Sequence, residues 1–304
     1  MISRIIAPLI LAALATPSIA ETSPLRILPV GASVTFGVGS STGSSYRKDL
    51  RALLTADPDP HLVNFVGRNS NGDFVDNQVE ATSGFVMAQI ADAARIATPM
   101  FKPNVILVEA GTNNCNSGNP VPDAGRNMTA LIDELFALSE GVTVIMATLL
   151  ENKIPEQDAC RVDVNRQYQV VRKGFEGQGR KFVLVDMRSE EGPTTADLFD
   201  TRHPNDVGYA KMARVWEQGV REAVQRGFVV PPVENGIPFD GDAGNSTAGV
   251  QRAAMGVSVT SLASRAEGSL TRFLTQTLVV VGCTGMVALG LGVWDNPLLR
   301  VTGM

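Results

Sequence analysis

Between residue 25 and about residue 230 the chain alternates short, β-branched, largely uncharged runs with longer amphipathic ones, and few architectures accommodate that rhythm. The runs at 25–30, 62–65, 105–109, 142–148 and 182–186 read as strands buried on both faces, since none alternates apolar with polar residues. The stretches at 46–54, 86–97, 123–138, 162–175 and 206–226 read as helices, each long enough to cross over between parallel strands. The expected fold class is α/β: a single three-layer domain around a five-stranded, mainly parallel sheet. Strand order is not readable from one sequence. In such sheets, however, ligands bind at the carboxyl ends of the strands.

The flanks do not belong to that pattern. A basic Arg4, an apolar stretch over 5–14 and the small-residue exit Ser18-Ile19-Ala20 mark residues 1–20 as a secretory signal peptide, cleaved after Ala20. The globular domain is then expected over 21–230. Residues 231–272, rich in Gly, Ala, Ser and Asp, read as a flexible linker. Residues 273–294 carry no charge, and as a helix they would extend roughly 33 Å, enough for a bilayer core. That makes them a candidate transmembrane helix followed by a short tail, 295–304. A glycolipid-anchor signal is the rival reading, and a tail that does neither is the third. All three place the protein outside the cell, secreted or on the outer face of the plasma membrane.

The composition excludes some partners. Lys and Arg number 26 against 31 Asp and Glu, a net charge of −5, and the basic residues are scattered among acids, so nucleic acid is not an expected partner. Of the three cysteines, Cys283 sits in the apolar tail while Cys115 and Cys160 lie in the domain. In an oxidising compartment those two are expected to pair, closing a loop whose constraint stabilises by about 4 kcal/mol at most; two buried free thiols are the alternative. Neither a CxxC motif nor a Cys/His cluster points to metal. Two acceptor sequons, Asn127-Met128-Thr129 and Asn245-Ser246-Thr247, fit the same compartment.

Only two histidines are present, which narrows the search for a catalytic base. His203 stands in Asp200-Thr201-Arg202-His203-Pro204, where an aspartate three residues earlier can accept from the ring's Nδ1 and leave Nε2 free. Ser33, in Gly31-Ala32-Ser33-Val34-Thr35 directly after the first strand, offers a hydroxyl to deprotonate. In Gly111-Thr112-Asn113-Asn114, after the third expected strand, the Asn113 amide can donate to an oxyanion; the Gly84 and Ser33 backbone N–H groups are further donors. His61 has no partner at readable spacing and reads as an ordinary turn residue. Arg202 is expected to face solvent, and Phe36 and Phe85 to flank the site. The glycine-serine stretch 37–45 could cradle a phosphate, but it lacks both GxxxxGK and GxGxxG.

Four blocks, residues 28–47, Ser83-Gly84-Phe85, 111–114 and 200–209, resemble in content and order those of the SGNH hydrolase superfamily, most closely the secreted fungal esterases of carbohydrate esterase family 3. The resemblance covers about residues 25–227. It implies a flavodoxin-like fold with Ser33 as nucleophile, Gly84 and Asn113 as oxyanion donors, and Asp200 with His203 as the acid and base pair. In that superfamily a backbone carbonyl can orient the histidine in place of the aspartate. Two positions depart from the pattern: Ala32 stands where many members have the aspartate of GDS, and Asn114 replaces the aspartate of GTND. Both put loop rigidity in question rather than chemistry.

The reading is a monomeric serine esterase, needing no cofactor, that removes short acyl groups, acetyl above all, from a polysaccharide such as xylan. Other small esters are further substrates. A lysophospholipase or other lipid-ester hydrolase on the same fold is the alternative. From a different class comes a surface glycan-binding protein that has lost catalysis through Ala32 and Asn114.

Overall fold

The structure is a computed structural model that describes residues 22–56 and 59–243. The leader, the sequon at Asn245, Cys283 and the candidate span 273–294 lie outside the described residues. Among the described residues no helix is long and apolar enough to cross a membrane.

In chain order the elements are β1 (Leu25–Gly31), α1 (Ser33–Phe36), α2 (Arg47–Ala56), β2 (Val63–Phe65), β3 (Asn69–Ser70), β4 (Gln78–Ala81), α3 (Met87–Phe101), β5 (Val105–Val108), α4 (Ala124–Leu138), β6 (Thr143–Ala147), α5 (Pro155–Gly177), β7 (Phe182–Val185) and α6 (Asp206–Gln225). The five expected strands are all present, and β1 pairs in parallel with β5, β5 with β6 and β6 with β7. Strand β2 runs along the first half of β1, and β4 takes over the same edge from Val30. With β3 folded back antiparallel on β4, the sheet has seven strands. The short pair β3 and β4 has no apolar signature: Gln78 and Glu80 are buried, Glu80 because Arg68 forks its carboxylate at 2.6 to 3.1 Å.

Alternate strand residues supply two cores. Leu28, Val30, Ile106, Val108, Val144 and Met146 pack under α3, α4 and α5. Ile27, Val105, Leu107, Ile145, Val183 and Val185 pack under α2 and α6, centred on the fully buried Trp216. Each such buried side chain contributes about 1.5–3 kcal/mol relative to leaving it in water. Because the chain starts at an interior strand and winds outward both ways, neighbours β1 and β5 form a switch point, the place where such folds leave a crevice at their carboxyl ends.

Two expected boundaries change. Helix α5 begins at Pro155 rather than 162: proline suits a first helical position, and the first turn is acidic, so no apolar period announces it. The linker expected from residue 231 does not begin there. Pro232, Ile237 and Gly241 are buried, and the carbonyls of Val233, Ile237 and Pro238 accept from Arg26 and Asn64 at 2.5 to 3.2 Å. Composition hides this contact because the segment is held through its backbone, not through apolar side chains.

Candidate active site

At the carboxyl rim, β1 ends at Gly31 and the chain turns at once into α1, whose first residue is Ser33. Gly37, at φ 114°, closes that turn by donating its N–H to the Ser33 carbonyl. The buried Ser33 hydroxyl lies 2.9 Å from His203 Nε2. On the other side of the ring, Nδ1 lies 2.7 Å from Asp200 Oδ2. Ser33 and His203, 170 positions apart in sequence, thus join with Asp200 in one hydrogen-bonded chain, Asp200 to His203 to Ser33.

The Asp200 loop is shaped by local bonds. Asp200 Oδ1 accepts the N–H groups of Arg202 and His203, both at 2.8 Å, which is the fold-back that a short acidic side chain makes in a turn. Phe199 N–H donates to the His203 carbonyl, Leu198 bridges Pro204, and Lys153 N–H donates to the Thr201 carbonyl. Helix α6 starts after Pro204, with the Asn205 side chain accepting from Gly208 N–H as its cap. Partial burial alone would raise the Asp200 pKa. The bonds from the His203 ring and from the His203 and Arg202 N–H groups outweigh it and bring the carboxyl down to about 2. As a carboxylate it can only accept, so Nδ1 carries the proton and Nε2 presents a lone pair to the Ser33 hydroxyl.

Asn113 opens a 3₁₀ turn, Asn113–Cys115, that follows β5. Gly111, at φ 115°, makes the bend, and a side chain there would collide with the Tyr168 hydroxyl, which donates to the Ala110 carbonyl. The Asn113 amide donates one N–H to the Phe85 carbonyl at 2.8 Å, and its Oδ1 accepts from Asn116 Nδ2 at 2.9 Å. Gly84 sits at φ 88° with nothing within 4 Å of where a Cβ would stand. The second Asn113 N–H and the backbone N–H groups of Ser33 and Gly84 have no acceptor among the described residues. Asn114 keeps the loop anchored despite replacing an acid: its Oδ1 accepts Met87 N–H at 2.9 Å, at the start of α3. Ala32 is buried at 4 % exposure, so that departure from the sequence pattern is filled as core.

Cys115 and Cys160 form a disulfide that ties this turn to α5. Beneath the rim, Glu109 is fully buried, accepting from Thr112 and Thr35; burial pushes its pKa up, and those hydroxyls and Arg161 oppose the push. Arg47, also buried, donates to the carbonyls of Phe36, Gly43, Asn71, Asn77 and Gln78 and so locks the loop after Ser33. Neither Glu109 nor Arg47 is readable as a site residue from the sequence, because Arg47 is held by main-chain carbonyls and Glu109 by hydroxyls, Thr112 nearby and Thr35 far upstream, that carry no motif.

The remaining expectations divide. His61 lies at the amino end of the sheet with Nδ1 2.9 Å from the Ser23 carbonyl, away from the site. Asn127 is exposed in the first turn of α4. Arg202 does not simply face solvent: its Nη1 donates to Asn116 Oδ1 at 2.6 Å, an attraction that a partly buried guanidinium needs and that residue order does not reveal. Among the described residues no three acidic, histidine or cysteine side chains come together as a cation site.

With that geometry in hand, comparison with protein families matches residues 30–211 to the GDSL-like Lipase/Acylhydrolase family. The chain belongs to that family. It is a carboxylic ester hydrolase of the SGNH type, and solved structures agree in fold. A family 3 carbohydrate esterase from Clostridium thermocellum is 25% identical with a TM-score of 0.58, the match covering 68% of this chain and 99% of that one. A carbohydrate esterase family 3 protein from Talaromyces cellulolyticus is 20% identical with a TM-score of 0.56, over 66% of this chain and 98% of that one. Comparison with curated proteins gives no match.

Proposed function

We propose that this esterase removes acetyl groups from a polysaccharide such as xylan, with Ser33 as nucleophile. The observation that carries the proposal is the unbroken chain from Asp200 through His203 to the Ser33 hydroxyl at the switch point of the sheet. Attack of Oγ on the ester carbonyl passes the hydroxyl proton to Nε2, and the Asp200 carboxylate stabilises the imidazolium. The free N–H groups of Ser33, Gly84 and Asn113 are the donors for the oxyanion, which needs them only as charge develops. Nε2 then protonates the departing sugar oxygen, and a water deprotonated by the same ring releases acetate.

The likeness to a family 3 carbohydrate esterase supports an acylated carbohydrate as the substrate; acetyl is the acyl group implied by the sequence resemblance. The setting proposed for this chemistry is extracellular, with the leader removed. Acetate release from acetylated xylan, measured beside fatty-acid release from a lysophospholipid, tests the proposal. Turnover of xylan at least tenfold faster supports it, and preference for the lysophospholipid overturns the substrate while leaving the chemistry intact.

A further inference from the structure

Asn113 can serve an oxyanion only if its amide nitrogen, not its oxygen, faces the reacting carbonyl, and a half-buried amide has two nearly isosteric orientations. Two contacts choose between them. Its Oδ1 meets the Nδ2 donor of Asn116 at 2.9 Å, and its Nδ2 meets the Phe85 carbonyl at 2.8 Å. Asn116 is itself an amide with the same ambiguity, and its choice is made from the other side of the site. Arg202 Nη1 lies 2.6 Å from Asn116 Oδ1, and a guanidinium has donors only, so Asn116 must turn its nitrogen toward Asn113.

We infer that Arg202 and Asn116 are positioning residues of the catalytic centre, a relay that fixes and polarises the Asn113 amide for the oxyanion. This rests on the proposed role of Asn113. The dipoles run head to tail from a fixed positive charge, guanidinium to Asn116 to Asn113, and a chain of this kind strengthens each donor along it. The relay also joins the two halves of the site. The main-chain N–H of Arg202 donates to Asp200, two residues earlier, while its side chain donates to Asn116, so the loop that holds the base and the loop that holds the oxyanion donor are set against each other through one residue. Gln157 Nε2, bonded to the Asn116 carbonyl at 2.6 Å, and the disulfide at Cys115 hold the turn from below.

The discriminating substitution is Asn116→Asp. A carboxylate at 116 would keep the bond to Arg202 but has no N–H for Asn113 Oδ1, so a merely structural tie survives while the relay is broken. With the full chain and a small acetyl ester, kcat for Asn116→Asp should fall about tenfold to a hundredfold with KM within about twofold. Arg202→Met should fall in the same direction, and Arg202→Lys should recover much of the loss by restoring a cationic donor. In an Asn113→Ala background, which by itself should lose about 10² to 10³ in kcat, neither Asn116→Asp nor Arg202→Met should lower kcat further. Near wild-type kcat in Asn116→Asp, or an equal further loss in the Asn113→Ala background, would overturn the relay. Should Asn116→Asp fail to show a wild-type thermal transition, Arg202→Met decides by the same two criteria. Ser33→Ala, assayed alongside, separates the two levels: if it keeps its turnover the proposed chemistry fails, and if it is inactive while Asn116→Asp is unaffected only the relay fails.

Discussion

The two ends of the sheet are built from similar materials to opposite purposes. At the amino end, Arg26 is fully buried and gives its donors to the carbonyls of Lys102, Val233 and Ile237, while Asn104 gives its amide to those of Pro24 and Val230. Arg51 faces Asp76, Asp240 and Asp242 at 2.5 to 3.1 Å. At the carboxyl end the same kinds of groups stop short of saturation: the N–H groups of Ser33 and Gly84 and one of Asn113 have no acceptor among the described residues. Polar groups closed onto the protein hold a segment in place. Polar groups left one bond short are ready for a charge that appears only during a reaction.

The contrast can be broken from either end. Asp200→Asn would leave the shape of the rim intact but put a donor against Nδ1, favouring the wrong ring tautomer, and kcat should fall by about 10³ to 10⁴ with the thermal transition nearly unchanged. A loss below tenfold would mean that a backbone carbonyl, not Asp200, orients the ring. At the other end Arg26→Met should do the reverse. Stability should drop by about 2–4 kcal/mol, because buried carbonyls lose their donor, while kcat and KM on a small ester stay within about twofold. A large fall in kcat there would show that the two ends are coupled.

The smallest effect concerns pH. Burial raises the Asp76 carboxyl to about 7, against the pull of the Phe65 N–H and of Arg51, with Asp242 and Asp240 adding to the rise. The native state therefore holds a proton from about pH 4 to 7 that the unfolded chain has released, so this group's contribution to stability is lost as pH climbs through that window. Asp76→Asn should flatten the stability profile between pH 4 and 7, measured by denaturant midpoints. An unchanged slope would contradict the raised value. Asp200, lowered to about 2, acts in the opposite sense: its contribution is present above about pH 4 and is lost only as pH falls toward 2.

How much of this is legible in the sequence follows the same division. Strands such as Val105–Val108 announce themselves because a strand buried on both faces must be apolar throughout. Ser33 and His203 are legible because the chemistry needs those residue types and the chain has only two histidines. Strand order, the β3 and β4 pair, and the hold on residues 232–243 are not legible, since each depends on main-chain bonds or on a charged residue finding a distant partner. Arg202 shows the limit most sharply. It sits beside His203 in sequence, yet its purpose lies in Asn116, 86 positions away.

The central claim is that Ser33, activated through His203 and Asp200, is the group that takes the acyl chain. Brief exposure of the native protein to a fluorophosphonate, followed by peptide mass spectrometry, tests it most directly, because the reagent reports an activated hydroxyl and not merely a nearby one. A single adduct on Ser33, absent in Ser33→Ala and strongly slowed in Asp200→Asn, is the predicted result. An adduct on another serine, or ester turnover near wild type in Ser33→Ala, would contradict it.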